Sequence, residues 1–285
     1  MIKDMSGLLE SIESDIREEM DVAVLGLSGG VDSLVCACLA SLALGKENVY
    51  VVHMPYGDID LTEGKFNSNS LKIAKKLEVK SYYRPVGKIV DALNETISHD
   101  SFELTDSPMT ELNLGNSRSR ARMCVLYGIA HNLGTMLQKS IRVLGTGNLS
   151  EDFIGYDTKG GDALADIFLI GELLKSEVYQ LAEHFVEIGM IEKDMIDYNP
   201  SAGLWDGQTD EDELGYSYAA MEPSVLKLRN PETGLSYQGY EIPVAGINRA
   251  PLSEIDKFVL NRHLANRHKH KAPPSLNIRE FCDAN

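Results

Sequence analysis

The residues best placed to do chemistry are Ser28-Gly29-Gly30-Val31-Asp32-Ser33. A Ser/Gly turn that opens onto a helix leaves backbone N–H groups free at the positive helix end, which is a phosphate site. The string is not a Walker loop, because Val31-Asp32-Ser33 stands where Gly-Lys-Ser/Thr is required. It is not the G-x-G-x-x-G dinucleotide turn either. Its distinctive member is Asp32, expected on an exposed turn with no part in core packing. A carboxylate beside phosphates is repelled unless a divalent cation lies between them, so the string asks for Mg²⁺ and a polyphosphate together. The simpler alternative is a tight turn in which Asp32 only stabilises the helix start.

Other clusters carry chemistry less specifically. In Gly145-Thr146-Gly147-Asn148-Leu149-Ser150-Glu151, glycines admit a ligand to the backbone, and Glu151 can share a cation with Asp32. An ordinary turn would hold the same residues. Lys159-Gly160-Gly161-Asp162 and Asp166 suit a mobile lid over a charged substrate, or a solvated loop. Arg118, Arg120 and Arg122 alternate, and helix positions two apart diverge by about 200°. One or two of them can face a ligand, and Arg118 is expected toward solvent. The five acids within Asp206 to Glu213 read as a helix cap or a solvated turn. Arg267-His268-Lys269-His270-Lys271 reads either as favourable charge at a helix C-terminus or as an anion contact.

Strand and helix patterns alternate around these clusters. Val22–Leu27, Val49–Met54, Val79–Val86 and Ile141–Leu144 read as strands. Helices are expected over Leu34–Leu44, Phe66–Leu77, Ile89–Ile97 and Asn116–Leu133, and later over Leu173–Ile188, Asp212–Met221 and Ser253–His270. Leu8, Leu9, Ile12, Ile16 and Met20 form one stripe of an N-terminal amphipathic helix rather than a signal peptide. That order implies an α/β fold, a doubly wound parallel sheet with helices on both faces. Ligands then bind beyond the carboxyl ends of strands, where the phosphate turn and the Gly145-Thr146-Gly147 turn both lie. Asn230-Pro231-Glu232-Thr233-Gly234 is a strong turn, so a hairpin insertion is expected within 222–252 of an otherwise single domain spanning 1–285.

The chain has 285 residues, of which 43% are hydrophobic and 25% charged, enough for a sizeable core. A net charge of −16 argues against nucleic acid and against a polybasic membrane surface. No apolar run is long enough to span a bilayer. The four cysteines, Cys36, Cys38, Cys124 and Cys282, lack C-x-x-C spacing. The first three sit in apolar helical patterns and are expected to be buried free thiols, which suits a reducing, cytoplasmic location.

Taken in order, these clusters resemble the ammonia-dependent NAD synthetases of the N-type ATP pyrophosphatase group. The pieces are Leu27 to Ser33, Asn113-Leu114-Gly115-Asn116 with Arg120-Ala121-Arg122-Met123, and Gly145 to Glu151. They continue with Thr158-Lys159, Gly161-Asp162 and Asp166, then Pro200 to Trp205, Gln208 to Glu211 and Glu213 to Gly215. The resemblance implies an adenine nucleotide alpha hydrolase-like fold, usually as a homodimer whose interface completes the substrate site. It implies the substrates ATP, deamido-NAD and ammonia. The deamido-NAD carboxylate attacks the α-phosphate of ATP and pyrophosphate leaves; ammonia then displaces AMP from the acyl adenylate.

By the same resemblance, Gly26, Leu27, Ser28, Gly29, Gly30, Val31, Asp32 and Ser33 hold the ATP phosphates. Thr146, Lys175 and Ser201 contact ATP, and Asp32 and Glu151 hold Mg²⁺. Arg120, Lys159, Asp166, His268 and Lys269 contact deamido-NAD. Asp162 lies at the ammonia pocket and joins Asp32 and Lys175 as a catalytic residue. The chain departs from the family in Ala163-Leu164, which replaces a frequent glycine pair, and in Ser201, where threonine is common. Two other readings compete. One is a different ATP pyrophosphatase, such as a tRNA sulfur-transfer enzyme, which the acidic charge and missing C-x-x-C oppose. The other is a non-catalytic nucleotide sensor, which retention of both Asp32 and Glu151 opposes.

Overall fold

The computed structural model describes residues 1–56, 68–98, 110–197, 210–229 and 252–269. Its centre is a sheet of five parallel strands, β1 (Val22–Gly26), β2 (Val49–His53), β3 (Lys80–Tyr83), β4 (Ile141–Gly145) and β5 (Ile167–Phe168). They lie side by side in the order β3-β2-β1-β4-β5. The chain therefore winds one way from β1 and then reverses at β4. Between β1 and β4, where Leu25 pairs with Leu144, the direction changes and a crevice opens at the carboxyl ends.

Alternation along β1 divides the core. Ala23 and Leu25 face one side with Val49, Val51 and Leu144, covered by α1 (Met5–Glu19), α2 (Val31–Leu44), α3 (Ser68–Leu77) and α7 (Lys175–Glu187). Val22 and Val24 face the other with Val52, Val90 and Leu126, covered by α4 (Gly87–Ser98) and α5 (Glu111–Leu137). Helix α2 runs between α1 and α7, and this explains why it is apolar nearly all round. A third cluster joins α6 (Leu149–Ile154), α9 (Tyr218–Leu228) and α10 (Glu254–Asn266) through Phe153, Met221, Val225 and Val259.

The doubly wound sheet agrees with expectation, and several details differ. Strand β5 and helix α6 were not anticipated. Gly145 admits β5 at close quarters, since a Cβ there would lie 2.4 Å from the Phe168 ring. Strand β3 ends at Tyr83, short of the expected Val86, although Arg84 N and Val86 N still donate to His53 O at 2.8 Å and Pro55 O at 2.9 Å. Helix α5 extends beyond Asn116–Leu133 in both directions, starting from the Thr110 cap. The single helix expected over Asp212–Met221 is divided into α8 (Asp210–Leu214) and α9. Gly215, at φ +75°, ends the first, and Ser217 caps the second by accepting from Ala220 N. Residues 222–228 lie in α9 and Arg229 is its C-cap, so no hairpin begins there; the rest of that excursion, 230–251, lies outside the described residues. Cys36 and Cys38 are buried as expected, but Cys124 is exposed on α5. Cys282 is outside the described residues. Among the described residues, no helix is long and apolar enough to cross a membrane.

Candidate active site

The turn after β1 is braced by its own hydroxyls. Ser33 Oγ accepts from Ser28 N at 3.2 Å and donates to Gly30 O at 3.0 Å, while Ser28 Oγ accepts from Gly30 N at 3.2 Å. Gly29 takes φ +92°, a conformation suited to glycine. Asn69 on α3 donates to Gly29 O at 2.6 Å and to Met195 O at 2.9 Å, tying the turn to the segment beyond α7. Gly30 is the N-cap of α2 and offers no side-chain acceptor, so the first N–H groups of α2 point into the crevice as an anion seat.

Asp32 lies in the first turn of α2, and its side chain is only 17% exposed. The exposed turn expected for it is therefore not found: α7 and α6 close over it. Lys175 Nζ, at the start of α7, donates to Asp32 Oδ2 at 2.5 Å and to Glu151 Oε1 at 2.9 Å. Asn148 caps α6 by accepting from Glu151 N at 3.1 Å, and its amide donates to Asp32 Oδ1 at 2.9 Å. Residues from three elements thus meet at the β1/β4 crevice. Burial pushes the Glu151 carboxyl up to about 7, with Lys175 opposing and Asp32 adding to the rise. Burial works against the Lys175 charge, but Asp32 and Glu151 outweigh it and hold the ammonium ionised. Two carboxylates that close on one cation suit Mg²⁺, which takes one or two carboxylates and fills its shell with phosphate oxygens and water.

A second cluster lies on the loop after α6. Asp162 Oδ1 accepts from Thr158 N at 2.7 Å and from Ser119 Oγ at 3.0 Å, and Asp162 N donates back to Ser119 Oγ at 3.0 Å. Gly161 is required here, since a Cβ would sit 2.3 Å from Ser119 Oγ. Arg120 Nε donates to Lys159 O at 3.2 Å, and Lys159 Nζ to His268 O at 3.1 Å. Lys269 Nζ donates to the carbonyls of Gly155 and Asp157, each at 2.7 Å. Arg120, Lys159, His268 and Lys269 are therefore brought together across the loop and the end of α10. Asp166 braces β4 instead: it accepts from Val143 N at 2.7 Å and from the Tyr127 hydroxyl at 3.2 Å. Burial raises Asp157 to about 7 despite Lys269. Asp152 is raised well above the carboxylate range by burial first and Asp157 next.

Thr146 stands at the carboxyl end of β4, beside the same crevice. Ser201 and the motif from Pro200 to Gln208 lie outside the described residues. Arg118 does not face solvent: its guanidinium stacks 3.9 Å from the centroid of the Tyr56 ring. Arg120 is the exposed member of the three. Arg122 is half-buried and donates to Met54 O at 3.0 Å. Asn69, Ser119 and Asn148 were given no role in the sequence, although Asn148 stands in an N-cap pattern, three residues before Glu151, that signals a helix start.

The NAD synthase family model matches residues 5–273. The chain is 39% identical over 234 residues to the NH(3)-dependent NAD(+) synthetase of Pyrococcus horikoshii, covering 82% of each chain. It is 34% identical over 283 residues to that of Methanocaldococcus jannaschii, covering 96% of this chain and 98% of the other. Among solved structures, NMN synthetase from Francisella tularensis matches with a TM-score of 0.72 at 25% identity, over 97% of this chain and all of that one. The NH3-dependent NAD synthetase from Campylobacter jejuni matches with a TM-score of 0.69 at 26% identity, over 96% of this chain and all of that one. The fold, the ordered motifs and these likenesses agree: the chain belongs to the NAD synthase family.

Proposed function

We propose that this protein amidates deamido-NAD to NAD with ammonia, consuming ATP through an acyl adenylate. The observation that carries the reading is the meeting of Asp32, Glu151 and Lys175 beside the phosphate turn at the β1/β4 crevice. The N–H groups of α2 and the Lys175 ammonium bind the ATP phosphates, with Thr146 and Ser201 completing the ATP contacts. Asp32 and Glu151 would hold Mg²⁺. When bound, that ion neutralises charge on the departing pyrophosphate. A nicotinate carboxylate oxygen attacks the α-phosphorus, the bond to pyrophosphate breaks, and the acyl group is activated. Ammonia nitrogen then attacks the acyl carbon, AMP leaves with the bonding pair, and the amide remains. Asp162, set among acids, retains ammonium and takes its proton. Arg120, Lys159, His268 and Lys269 bind the dinucleotide, and Asp166, braced against Val143 of β4, contacts it as well.

The chain acts as one catalytic domain and, in this reading, as a homodimer with a shared dinucleotide site. Buried free thiols at Cys36 and Cys38 suit the cytoplasm. The test is direct: with ATP, Mg²⁺, deamido-NAD and ammonium, the purified protein forms NAD, AMP and pyrophosphate in equal amounts. Release of ADP and phosphate overturns the adenylate. Nicotinate mononucleotide is offered in parallel, and its preferential amidation would move the substrate to the mononucleotide.

A further inference from the structure

Glu222 stands in a stretch to which the sequence assigned no role, and its side chain is buried, with the residue 7% exposed. Its Oε1 accepts from Ser150 Oγ at 3.1 Å and from Ser176 N at 2.9 Å. Ser150 Oγ in turn accepts from Lys175 N at 3.0 Å. The first N–H groups of a helix have no partner within it, and the N-cap of α7 is Leu174, whose side chain offers no acceptor. Glu222 supplies what Leu174 lacks, directly at Ser176 and through one hydroxyl at Lys175. A carboxylate at the positive end of α7 is also electrostatically favoured.

The same contacts reach both halves of the cation seat. Ser150 directly precedes Glu151 on α6, and Lys175 opens α7. One carboxylate therefore sets the spacing between the Glu151 carboxylate and the Lys175 ammonium. One turn earlier on α9, the Tyr218 ring lies beneath Lys175, with Nζ 5.5 Å from its centroid. The Tyr218 hydroxyl donates to Asp210 Oδ2 at 3.0 Å. Tyr218 and Glu222, four residues apart, share one helix face. The first supports the ammonium and the second its backbone.

We infer that Glu222 is a positioning residue for the ATP half-reaction, aiming Lys175 at Asp32 and Glu151; this rests on the proposed role of Lys175 in holding ATP. Removing the carboxylate releases the first turn of α7 and lets the ammonium drift. Misplacement of this kind costs on the order of tenfold or more. The Gln variant keeps an acceptor oxygen for both donors.

Calorimetric titration with Mg·ATP, without deamido-NAD, tests this apart from turnover, and NAD formation by the wild type tests the underlying function separately. Glu222→Ala and Ser150→Ala are each expected to weaken Mg·ATP binding about tenfold, and Glu222→Gln to stay within about twofold of wild type. The decisive comparison is in a Lys175→Met background, where Glu222→Ala should add nothing. Should Glu222→Ala fail to fold, Ser150→Ala in the same background carries the comparison. Losses that add to that of Lys175→Met, or equal losses for the Gln and Ala variants, would overturn the proposal.

Discussion

The Asn148 amide donates to Asp32 Oδ1 at 2.9 Å, so the residue that caps α6 also steers the carboxylate of α2. The two are 116 residues apart, and their contact bridges the crevice between β1 and β4. Asp32 is thereby held from both oxygens, by Asn148 on one and Lys175 on the other.

Asp32→Asn should abolish the first half-reaction. The substitution keeps the shape but removes the charge that Lys175 and a divalent cation share. Pyrophosphate release is expected to fall at least about a hundredfold. Thermal melting should move by only a few degrees, since Lys175 keeps Glu151. Near-normal release would remove Asp32 from the cation seat.

Asp162→Asn should impair amide formation more than adenylation. Asn keeps an oxygen for Thr158 N and Ser119 Oγ, so the loop stays pinned. What it loses is the charge that retains ammonium. Adenylation followed as ATP–pyrophosphate exchange should stay within about threefold of wild type, while NAD formation drops about tenfold or more. Equal losses in both would point to damage of the whole loop.

Asp157 gives the protein a pH dependence with a definite sign. Its carboxyl is raised to about 7 by burial, with Lys269 opposing. The folded state therefore holds this proton more tightly than the unfolded chain does. The stability it contributes is complete below the ordinary carboxylate range and is lost as pH rises through about 7. Asp157→Asn should accordingly raise the melting temperature at pH 8 by a few degrees, and the gain should shrink as pH falls and vanish only once the ordinary carboxylate range is reached, at about pH 4. A lower melting temperature at pH 8 would mean that the ion pair with Lys269 outweighs the burial.

Sedimentation at micromolar concentration should give the mass of two chains. A monomer that is active at every concentration would overturn both the dimer and the shared dinucleotide site.

The parts of the fold that were legible are those whose signal is local. β1, β2 and α2 are continuous apolar runs, because both faces of a parallel sheet are covered. β5 has two residues and exists only because Gly145 lets Phe168 approach, so no local pattern could announce it. In the site, Asp32 and Glu151 stood out as acids beside glycine-rich turns at strand ends. Lys175 was accessible only through family likeness, since a lysine opening an amphipathic helix looks ordinary. Arg118 was misjudged because helical angles say which residues diverge, not that Tyr56 waits on one side. Glu222 was invisible for a similar reason: its partners are backbone groups of another helix, which leave no mark on its own neighbours.

The brevity of β5 bears on how two copies can meet. That edge of the sheet offers two residues of backbone, and the opposite edge, β3, starts at Lys80 and gives way to Pro85 four residues after its first position's neighbour Ser81. Short, charged or proline-ended edges are poor templates for further strand addition. Neither edge therefore invites the sheet to continue into a neighbour, and the crevice at the carboxyl ends of the strands is built by one sheet of five.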